Sequence, residues 1–554
     1  MAVLFTHAVA SFEPSASSVL LWTRLGEATS SVTWVVALDP HLDVVVARGT
    51  SAADAASDFT VVVEVGDLEA ATSYWYRFSA GGVHSPVGRT RTLPLGPVDR
   101  FRLGTVCCAH FAEAPLGVYR ALAEREVDLV LHLGDYIYEE AGPHGPRRHE
   151  PSHEAVTLDD YRRRLAQVRA DPDAQALHLR HPMVAIWDDH DFCDNAWSGG
   201  AKRHDPSEHG PWSDRVASAA RARQEWLPVR RRDNARPLET WRSAAIGDLA
   251  ELILLDTRLV GRDRQAGDDG AKLLDDPHRS LLGDEQRSWL AEGLADTSRT
   301  WAIVASGVVV NELELHWPRP LRWMSGLAPS GYAILDGRVM HDDQWDGYPA
   351  ERNWLIRRMR ERADGGGRTV LLSGDVHSSW AFTGPIDPLD GQAVAVEFTT
   401  PAVSSAAMGR ARYPGLWRLL DREADRMNHV AWCDVTNRGY AIVEITPRHV
   451  SSHWWFVHPY DEDPATEAEL AAGFTTARDE WPPHLEVDTR RGADPDRPGL
   501  PTGLPARPAD LGRLRRRRRI RIGAKAFGTA VGAIAMLSVV VASIGHLARR
   551  CRRR

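Results

Sequence analysis

The chain has 554 residues, too many for one hydrophobic core, so we expect two or more domains. Hydrophobic residues make up 43% and charged residues 26%, which is typical of soluble globular proteins. The formal net charge of -8 is uneven, because the body is acidic and the C-terminal segment is rich in arginine. An acidic body argues against nucleic acid as a partner, and five irregularly spaced cysteines argue against a disulfide framework.

The first predicted unit is an all-β sandwich over residues 1–95. It contains short β-branched or aromatic runs, such as SSVLLWTR and SYWYRFSA, separated by turn residues. The opening MAVLFTHAVASFEP lacks the basic and apolar regions of a signal peptide.

The second predicted unit is an α/β domain over residues 99–458. Strand-like runs such as FRLGTV and VDLVLHL alternate with helix-like segments such as LDDYRRRLAQVRA and GDEQRSWLAEGLA. The domain ends in a predicted β-hairpin, RGYAIVEIT followed by VSSHWWFV. Residues 459–512 are rich in proline and charge, which predicts a disordered linker.

The C-terminal segment predicts a membrane anchor. A polybasic stretch at 513–525 precedes 526–548, which carries no charged residue and would be about 35 Å long as a helix. We therefore expect a single-pass transmembrane helix with the body on the cytoplasmic side; the alternative is a buried helix. Gly528 and Gly532 form a GxxxG pattern, a hint of a homodimer.

Several predicted strands end in residues that can bind metal ions. Cys107 and Cys108 follow FRLGTV, and Asp135 follows VDLVLHLG. Because the carboxyl ends of parallel strands meet at one edge of a sheet, these side chains are expected to converge with those of two further strand ends. The further strand ends contribute Asp188, Asp189, His190 and Asp191, and Asp375 and His377.

These motifs resemble the alkaline phosphatase D family, the PhoD-like metallophosphatases. The matching stretches span residues 5 to about 457 and are FTHAVASFEP, SVLLWTR, GDYIYE, WDDHD, LLDTR, DQWDGYPAER, SGDVHSSWAF and NRGYAIVEIT. The resemblance implies a fibronectin- or immunoglobulin-like N-terminal sandwich and a calcineurin-like domain with four α/β/β/α layers. It also implies a metal-dependent phosphoesterase that hydrolyses phosphate mono- or diesters by in-line attack of a metal-bound hydroxide.

The resemblance also implies the ligands of a ferric side of the metal centre. Asp135 would bridge the metals, and Tyr138 would bind Fe³⁺ as a phenolate together with His377 and a cysteine. Cys108 matches the family position for that cysteine better than Cys107 does. His110 is a weaker candidate for a ligand or a phosphate contact.

The second side of the predicted centre is rich in oxygen. Asp189 and Asp375 stand where related phosphoesterases carry an asparagine and a histidine. An all-oxygen set suits a hard cation such as Ca²⁺, although ligand types alone leave Zn²⁺ or Mn²⁺ open. Asn195 is a candidate ligand or, equally, a turn residue.

Three further residues are candidates for catalysis. His190 would protonate the leaving oxygen, with Asp191 orienting its ring. Arg258, at the end of LLDTR, would either pair with a phosphate oxygen or form a structural ion pair. The rival hypotheses are a membrane-anchored phosphodiesterase or phospholipase on lipid or cell-envelope diesters, and an inactive binding protein.

Overall fold

The N-terminal strands form one sheet and extend a second, and the two sheets pack around a common core. The computed structural model describes residues 4–488 except 27, 143–145, 231–235, 268–270, 275, 314–331, 336–337, 408–426, 459 and 461–467. The strands of this region are β1 (Val9–Phe12), β2 (Val19–Arg24), β3 (Thr29–Ala37), β4 (Val45–Ala53), β5 (Thr60–Val65), β6 (Ser73–Ala80), β7 (Val83–His84) and β8 (Gly88–Arg91).

The remaining strands run through the rest of the described chain. They are β9 (Phe101–Val106), β10 (Leu129–His132), β11 (Met183–Ala185), β12 (Arg242–Ile246), β13 (Ala250–Leu254), β14 (Trp301–Ala305), β15 (Tyr332–Leu335), β16 (Arg338–His341), β17 (Arg368–Ser373), β18 (Ser379–Thr383), β19 (Val396–Thr399), β20 (Val430–Asp434), β21 (Gly439–Ile445), β22 (His449–Phe456), β23 (Glu469–Ala477) and β24 (Glu486–Val487).

Eight helices of the described chain connect these strands. They are α1 (Gly117–Ala123), α2 (Leu158–Arg169), α3 (Pro172–Arg180), α4 (Pro206–His209), α5 (Trp212–Trp226), α6 (Ala271–Leu274), α7 (Gly283–Ala295) and α8 (Pro349–Asp364). Some of them begin at ordinary side-chain caps. Thr157 and Asp160 form a reciprocal capping box at the start of α2, and Asp171 caps α3 ahead of Pro172.

Two mixed sheets lie at the centre of the molecule. The ten-stranded sheet has the order β24-β23-β22-β21-β9-β10-β11-β1-β2-β5, and the seven-stranded sheet has the order β12-β13-β14-β17-β19-β18-β20. Their parallel central strands are short Val/Leu/Ile runs, the pattern expected of strands buried on both faces. One hydrophobic core contains side chains from both sheets, which therefore pack face to face.

Helices cover the outer faces of both sheets. A second core joins the ten-stranded sheet to α1, α2, α3 and α5, and a third joins the seven-stranded sheet to α7 and α8. From β9 to β22 the chain therefore forms four layers: helices, the ten-stranded sheet, the seven-stranded sheet and helices. It brings the carboxyl ends of the central parallel strands of both sheets to one region of the molecule.

The N-terminal strands are continuous with the large sheet. Phe12 of β1 pairs in parallel with Met183 of β11, so β1, β2 and β5 extend the ten-stranded sheet. The opposing sheet contains β4, β3, β6 and β7, with β8 paired to β6, and the core between the two includes Leu179 of α3. The predicted boundary at residue 95 therefore separates two parts of one sheet.

The predicted linker needs correction within the described residues. Residues 469–477 form β23, which pairs with β22 from His449↔Ala477 to Phe456↔Glu469. The physical reason is local: ELAAGFTTA supplies a Phe that is buried in the core between the sheets, although proline and charge dominate the composition around it. Of the predicted linker, only residues 460, 468–488 belong to the described chain.

The predicted transmembrane anchor and the membrane localisation derived from it also need correction. Among the helices of the described chain, none is both long and apolar enough to cross a bilayer. Residues 526–548, and with them Gly528 and Gly532 of the predicted dimer contact, lie outside the described residues. The structural finding therefore gives no support to a single-pass anchor or to a dimer.

Candidate metal centre

The candidate centre lies where strands of both central sheets end. Cys108 follows β9 and Asp135 follows β10, both in the ten-stranded sheet, whereas Asp375 and His377 follow β17 of the seven-stranded sheet. The backbone N–H of Cys108 donates to the carbonyl of Gly134 at 3.1 Å, which holds the first two strand ends together. The ligands predicted from separate strand ends thus meet at one place.

Five residues of the centre have left-handed backbone conformations. These are Cys108, Asp135, Asn195, Asp375 and His377, with φ of 58°, 56°, 53°, 63° and 52°. Positive φ is uncommon in residues other than glycine and costs free energy. Such residues are concentrated at functional sites, where surrounding contacts hold the strained backbone in place.

Gly134 is required by a close approach between strand ends. Its φ is +102°, and a Cβ built on it would lie 2.4 Å from Cβ of Asp188 and 2.8 Å from its backbone nitrogen. Only glycine therefore lets the Gly134–Asp135 turn pack against the turn that carries Asp188.

The first cluster of potential ligands consists of Cys108, Asp135, His377 and Tyr138. One ligand atom from each of the first three lies within 4.8 Å of the others. The Tyr138 hydroxyl lies 2.8 Å from Oδ2 of Asp135 and 2.9 Å from Nε2 of His377. One hydroxyl proton cannot satisfy both acceptors, so this set of atoms fits a cation held between them.

Neighbouring groups orient the ligands of the first cluster. The Nδ1–H of His377 donates to the carbonyl of Ala406 at 3.1 Å, which leaves Nε2 as the ligand atom. The Ser405 hydroxyl donates to Tyr138 Oη at 2.8 Å. The Sγ of Cys107 instead donates to the carbonyl of Thr400 at 3.4 Å.

The electrostatics of this cluster favour a bound cation. Burial raises the pKa of Cys108, Asp135 and Tyr138 well above their usual values. Neighbouring thiol and carboxylate groups raise these pKa values further. A cation among the three groups would offset that cost, because it stabilises thiolate, carboxylate and phenolate together.

The second cluster consists of Asp188, Asp189 and Asp375, whose ligand oxygens lie within 4.8 Å of one another. Oδ2 of Asp188 and Oδ1 of Asp189 are buried and accept no hydrogen bond from any residue that the structure describes. Orphaned buried carboxylate oxygens are costly unless a cation binds them, so the donor set fits a hard cation. Asp188 was not among the residues predicted as ligands.

Asn195 borders the second cluster through its backbone. Its N–H donates to Oδ2 of Asp189 at 2.6 Å, which fixes that carboxylate. This contact and the positive φ fit the turn interpretation. Coordination by the Asn195 side chain stays a prediction.

Arg258 lies within the second cluster and is 0% exposed. Its Nη1 donates to both oxygens of Asp343 at 2.8 Å, and its Nη2 donates to Oδ1 of Asp375 at 3.1 Å. Its Nε donates to Oδ1 of Asp188. The geometry corresponds to the ion-pair alternative and leaves the phosphate contact without support, because carboxylates surround the guanidinium group.

His190 pairs with a residue that the sequence interpretation did not assign. Its Nδ1–H donates to Oε2 of Glu139 at 2.8 Å, and Oε1 of Glu139 accepts the N–H of Asp194 at 2.8 Å. Burial alone would lower the pKa of His190, but the carboxylates of Glu139 and Asp189 outweigh burial and raise that pKa well above its usual value. Glu139 therefore favours the imidazolium form of His190 and occupies its Nδ1–H, not its Nε2–H.

Asp191 has a different role from the predicted one. Its carboxylate accepts the backbone N–H groups of Asp135 at 3.0 Å, Tyr136 at 3.1 Å and Asp188 at 3.0 Å. It therefore ties two strand ends together and does not orient the imidazole. The correction has a simple cause, since the short helical turn over residues 189–191 directs Asp191 back toward the backbone.

Other residues near the centre contact ligands or their partners. The ring of His110 lies 4.3 Å from the ring of Tyr138, which places it beside the first cluster. Gln344 donates from Nε2 to Oδ2 of Asp375, and Asp343 binds Arg258. Both residues belong to DQWDGYPAER, one of the stretches that carry the family resemblance.

Comparisons with known proteins agree with this geometry. Residues 103–454 match the sequence model described as PhoD-like phosphatase, and residues 1–94 match its N-terminal domain. Alkaline phosphatase D of Bacillus subtilis (strain 168) is 31% identical over 502 residues, which cover 86% of this chain and 81% of that protein. A solved structure described as "Structure of PhoD" is 28% identical, with a TM-score of 0.74 over 94% of this chain and 98% of the other.

Proposed function

Because this chain belongs to the PhoD-like phosphatase family and is a metal-dependent phosphoesterase, we propose that its two ligand clusters hold two different cations. The hydrolysis of phosphoric ester bonds and the need for metal follow from the family. The identity of the metals and the roles of individual residues are the proposal.

The first cluster would bind Fe³⁺ through Cys108, Asp135, Tyr138 and His377. The observation that carries this proposal is the position of the Tyr138 hydroxyl between Asp135 and His377, at 2.8 and 2.9 Å. Thiolate and phenolate are anionic donors that suit iron, and their burial excludes weak surface binding.

The second cluster would bind Ca²⁺ through Asp189, Asp375 and, in addition to the predicted set, Asp188. Asp135 would contact both cations, because its carboxylate lies within 4.8 Å of ligand atoms of Cys108 and His377 and also of Asp189. An all-carboxylate set suits a hard divalent cation better than Zn²⁺.

The bound cations would supply electrophilic activation of the phosphoryl group and of a water molecule. The chain's own residues would then orient and protonate the substrate. His190, held as an imidazolium ion by Glu139, would donate the proton from Nε2 to the leaving oxygen. Its ring stacks on Tyr138 at 4.3 Å, which fixes the direction of that proton relative to the first cluster.

Metal analysis combined with absorption spectroscopy tests the proposal. We expect near-stoichiometric iron and calcium in the purified protein and a visible absorption band from a ferric phenolate. Tyr138→Phe should abolish the band and reduce the hydrolysis of p-nitrophenyl phosphate and bis-p-nitrophenyl phosphate. Zinc or manganese in place of iron, with no visible band, would contradict the metal assignment. The ratio of the rates on p-nitrophenyl phosphate and bis-p-nitrophenyl phosphate would define the preference for mono- or diesters.

A further inference from the structure

The guanidinium group of Arg258 is a fixed positive charge inside the second cluster. We propose that Arg258 sets the charge selectivity of this position, so that it accepts a divalent cation and discriminates against a trivalent one. The inference rests on the proposed function, because it takes the second cluster as a cation site.

Arg258 shares its carboxylates with the expected cation. Asp188 offers Oδ1 to Nε of Arg258 but leaves Oδ2 without a hydrogen bond from any described residue. Nη2 of Arg258 lies 3.1 Å from Oδ1 of Asp375 and 3.6 Å from Oδ1 of Asp189. A cation bound by these three carboxylates would therefore lie within a few ångströms of the guanidinium group.

Neighbouring contacts prevent Arg258 from swinging toward substrate. Its backbone N–H donates to Oδ1 of Asp256 at 2.9 Å, and Asp343 holds Nη1 through both carboxylate oxygens. Asp343 is itself held by Nη2 of Arg262 at 2.7 Å and by Nε2 of Gln265 at 2.7 Å. The charge on Arg258 is thus a permanent part of the cluster.

The charge balance matches one divalent cation. When ionised, Asp188, Asp189, Asp343 and Asp375 carry four negative charges, and Arg258 and Arg262 carry two positive charges. The charge of Asp135 is counted with the first cluster, to which Cys108 and His377 belong. The remaining formal charge of two negative units is neutralised by a divalent ion. A trivalent ion would leave an excess positive charge in a buried place, where desolvation makes it costly.

Competition between Ca²⁺ and Tb³⁺ tests this inference. The two ions have similar oxygen preferences but differ by one charge, and Trp187, next to Asp188, can sensitise terbium luminescence. We would strip the full-length protein with a chelator, titrate it with each ion, and subtract the signal of Asp189→Asn. The ratio of the Tb³⁺ to the Ca²⁺ association constant is the quantity of interest.

Two substitutions should move this ratio in opposite directions. Arg258→Met removes one positive charge and should raise the Tb³⁺/Ca²⁺ ratio by at least about tenfold. Asp343→Asn removes one negative charge from a residue outside the ligand set and should lower it by a similar factor. The double variant R258M/D343N restores the balance and should return close to the wild-type ratio, as should Arg258→Lys.

The outcomes separate failure of the inference from failure of the proposed function. If Asp189→Asn binds both ions as the wild type does, the second cluster is no cation site and the proposed function fails. If the site binds but the ratio stays within twofold in both single variants, the selectivity role of Arg258 is wrong. Arg163→Met, at an exposed ion pair on α2, controls for the change in net charge. Circular dichroism identifies variants that do not fold. If Arg258→Met does not fold, the shift of the ratio in Asp343→Asn decides the outcome.

Discussion

Glu139, which is buried, and His190, which is partly buried, form a carboxylate–imidazole pair, with Oε2 of Glu139 2.8 Å from Nδ1 of His190. Glu139 is 0% exposed and its second oxygen accepts the N–H of Asp194, so the carboxylate has no freedom to turn away. The pair fixes the charge and the direction of a ring that borders both ligand clusters.

Replacing Glu139 tests its role as a positioning residue. Glu139→Gln should reduce kcat by roughly 10- to 100-fold with little change in KM, because the imidazole loses orientation while the ligand clusters remain. Glu139→Asp should recover part of kcat, and Glu150→Gln, an exposed acid of the same segment, should leave both constants unchanged. A proportional rise in KM, or loss of bound metal, would instead indicate a structural role.

The adjacent cysteines offer a matched pair for the first cluster. Cys108→Ala should lose the metal of that cluster, because it removes a ligand within 4.8 Å of Asp135 and His377. Cys107→Ala should retain the metal, since Cys107 Sγ contacts the carbonyls of Thr400 and Pro401. Elemental analysis of the two variants side by side checks the assignment, and equal metal loss in both would contradict it.

Two glycines with positive φ separate backbone strain from steric contact. Gly134→Ala should destabilise the protein by at least about 2 kcal/mol and lower the metal content, because its Cβ would meet Asp188 at 2.4 Å. Gly142 has a φ of +87° with no atom within 4 Å of a built Cβ, so Gly142→Ala should cost only about 1 kcal/mol. Urea unfolding of both variants measures the difference, and similar values would exclude a role for the close approach.

Buried neutral histidines make the fold sensitive to acid. Burial and nearby arginines lower the pKa of His7 and His132 to about 3, and burial lowers the pKa of His178 and His181 well below the usual value. Below about pH 6.5 the unfolded chain therefore binds protons that the folded chain does not. The contribution of these histidines to the free energy of unfolding should therefore rise with pH from about 3 to about 6.5, at no more than about 1.4 kcal/mol per pH unit per histidine. Buried carboxyl groups such as Asp346, whose pKa burial raises to about 6, contribute with the opposite sign.

Urea titrations at several pH values check this dependence. His178→Gln should make the dependence shallower, because one site of differential protonation is removed. His41→Gln, at an exposed histidine, should leave the slope unchanged. Equal slopes of the free energy of unfolding in His178→Gln and in the wild type between pH 4.5 and 6.5 would contradict the prediction.

The sequence allowed most residues of the two clusters to be predicted, for one physical reason. Apolar runs that end in Gly-Asp or Cys mark the carboxyl ends of buried strands, and parallel strands bring such ends together. Cys108, Asp135 and His377 could therefore be placed near one another before any coordinates. Asp188 was not assigned to the second cluster because two adjacent aspartates follow one strand. The sequence does not show which of their carboxylates faces the site.

Pairings over long sequence separation could not be predicted. Glu139 and His190 are 51 positions apart. Nothing in the local sequence favours Glu139 as the partner of His190 over Asp191, the next residue in the chain. The carboxylates around Arg258 come from three other segments of the chain. β23 was missed for a different reason, because its one buried aromatic residue is concealed by the average composition of a proline-rich segment.

The parallel pair of β1 and β11 has a consequence for how the chain can be divided. The family match for the N-terminal region ends at residue 94, yet hydrogen bonds join that region to the strand preceding WDDHD. A shortened protein that begins near residue 99 would expose the edge of β11 and the apolar side chain of Leu179, which invites aggregation. The region that the N-terminal family model matches is therefore smaller than the unit that folds.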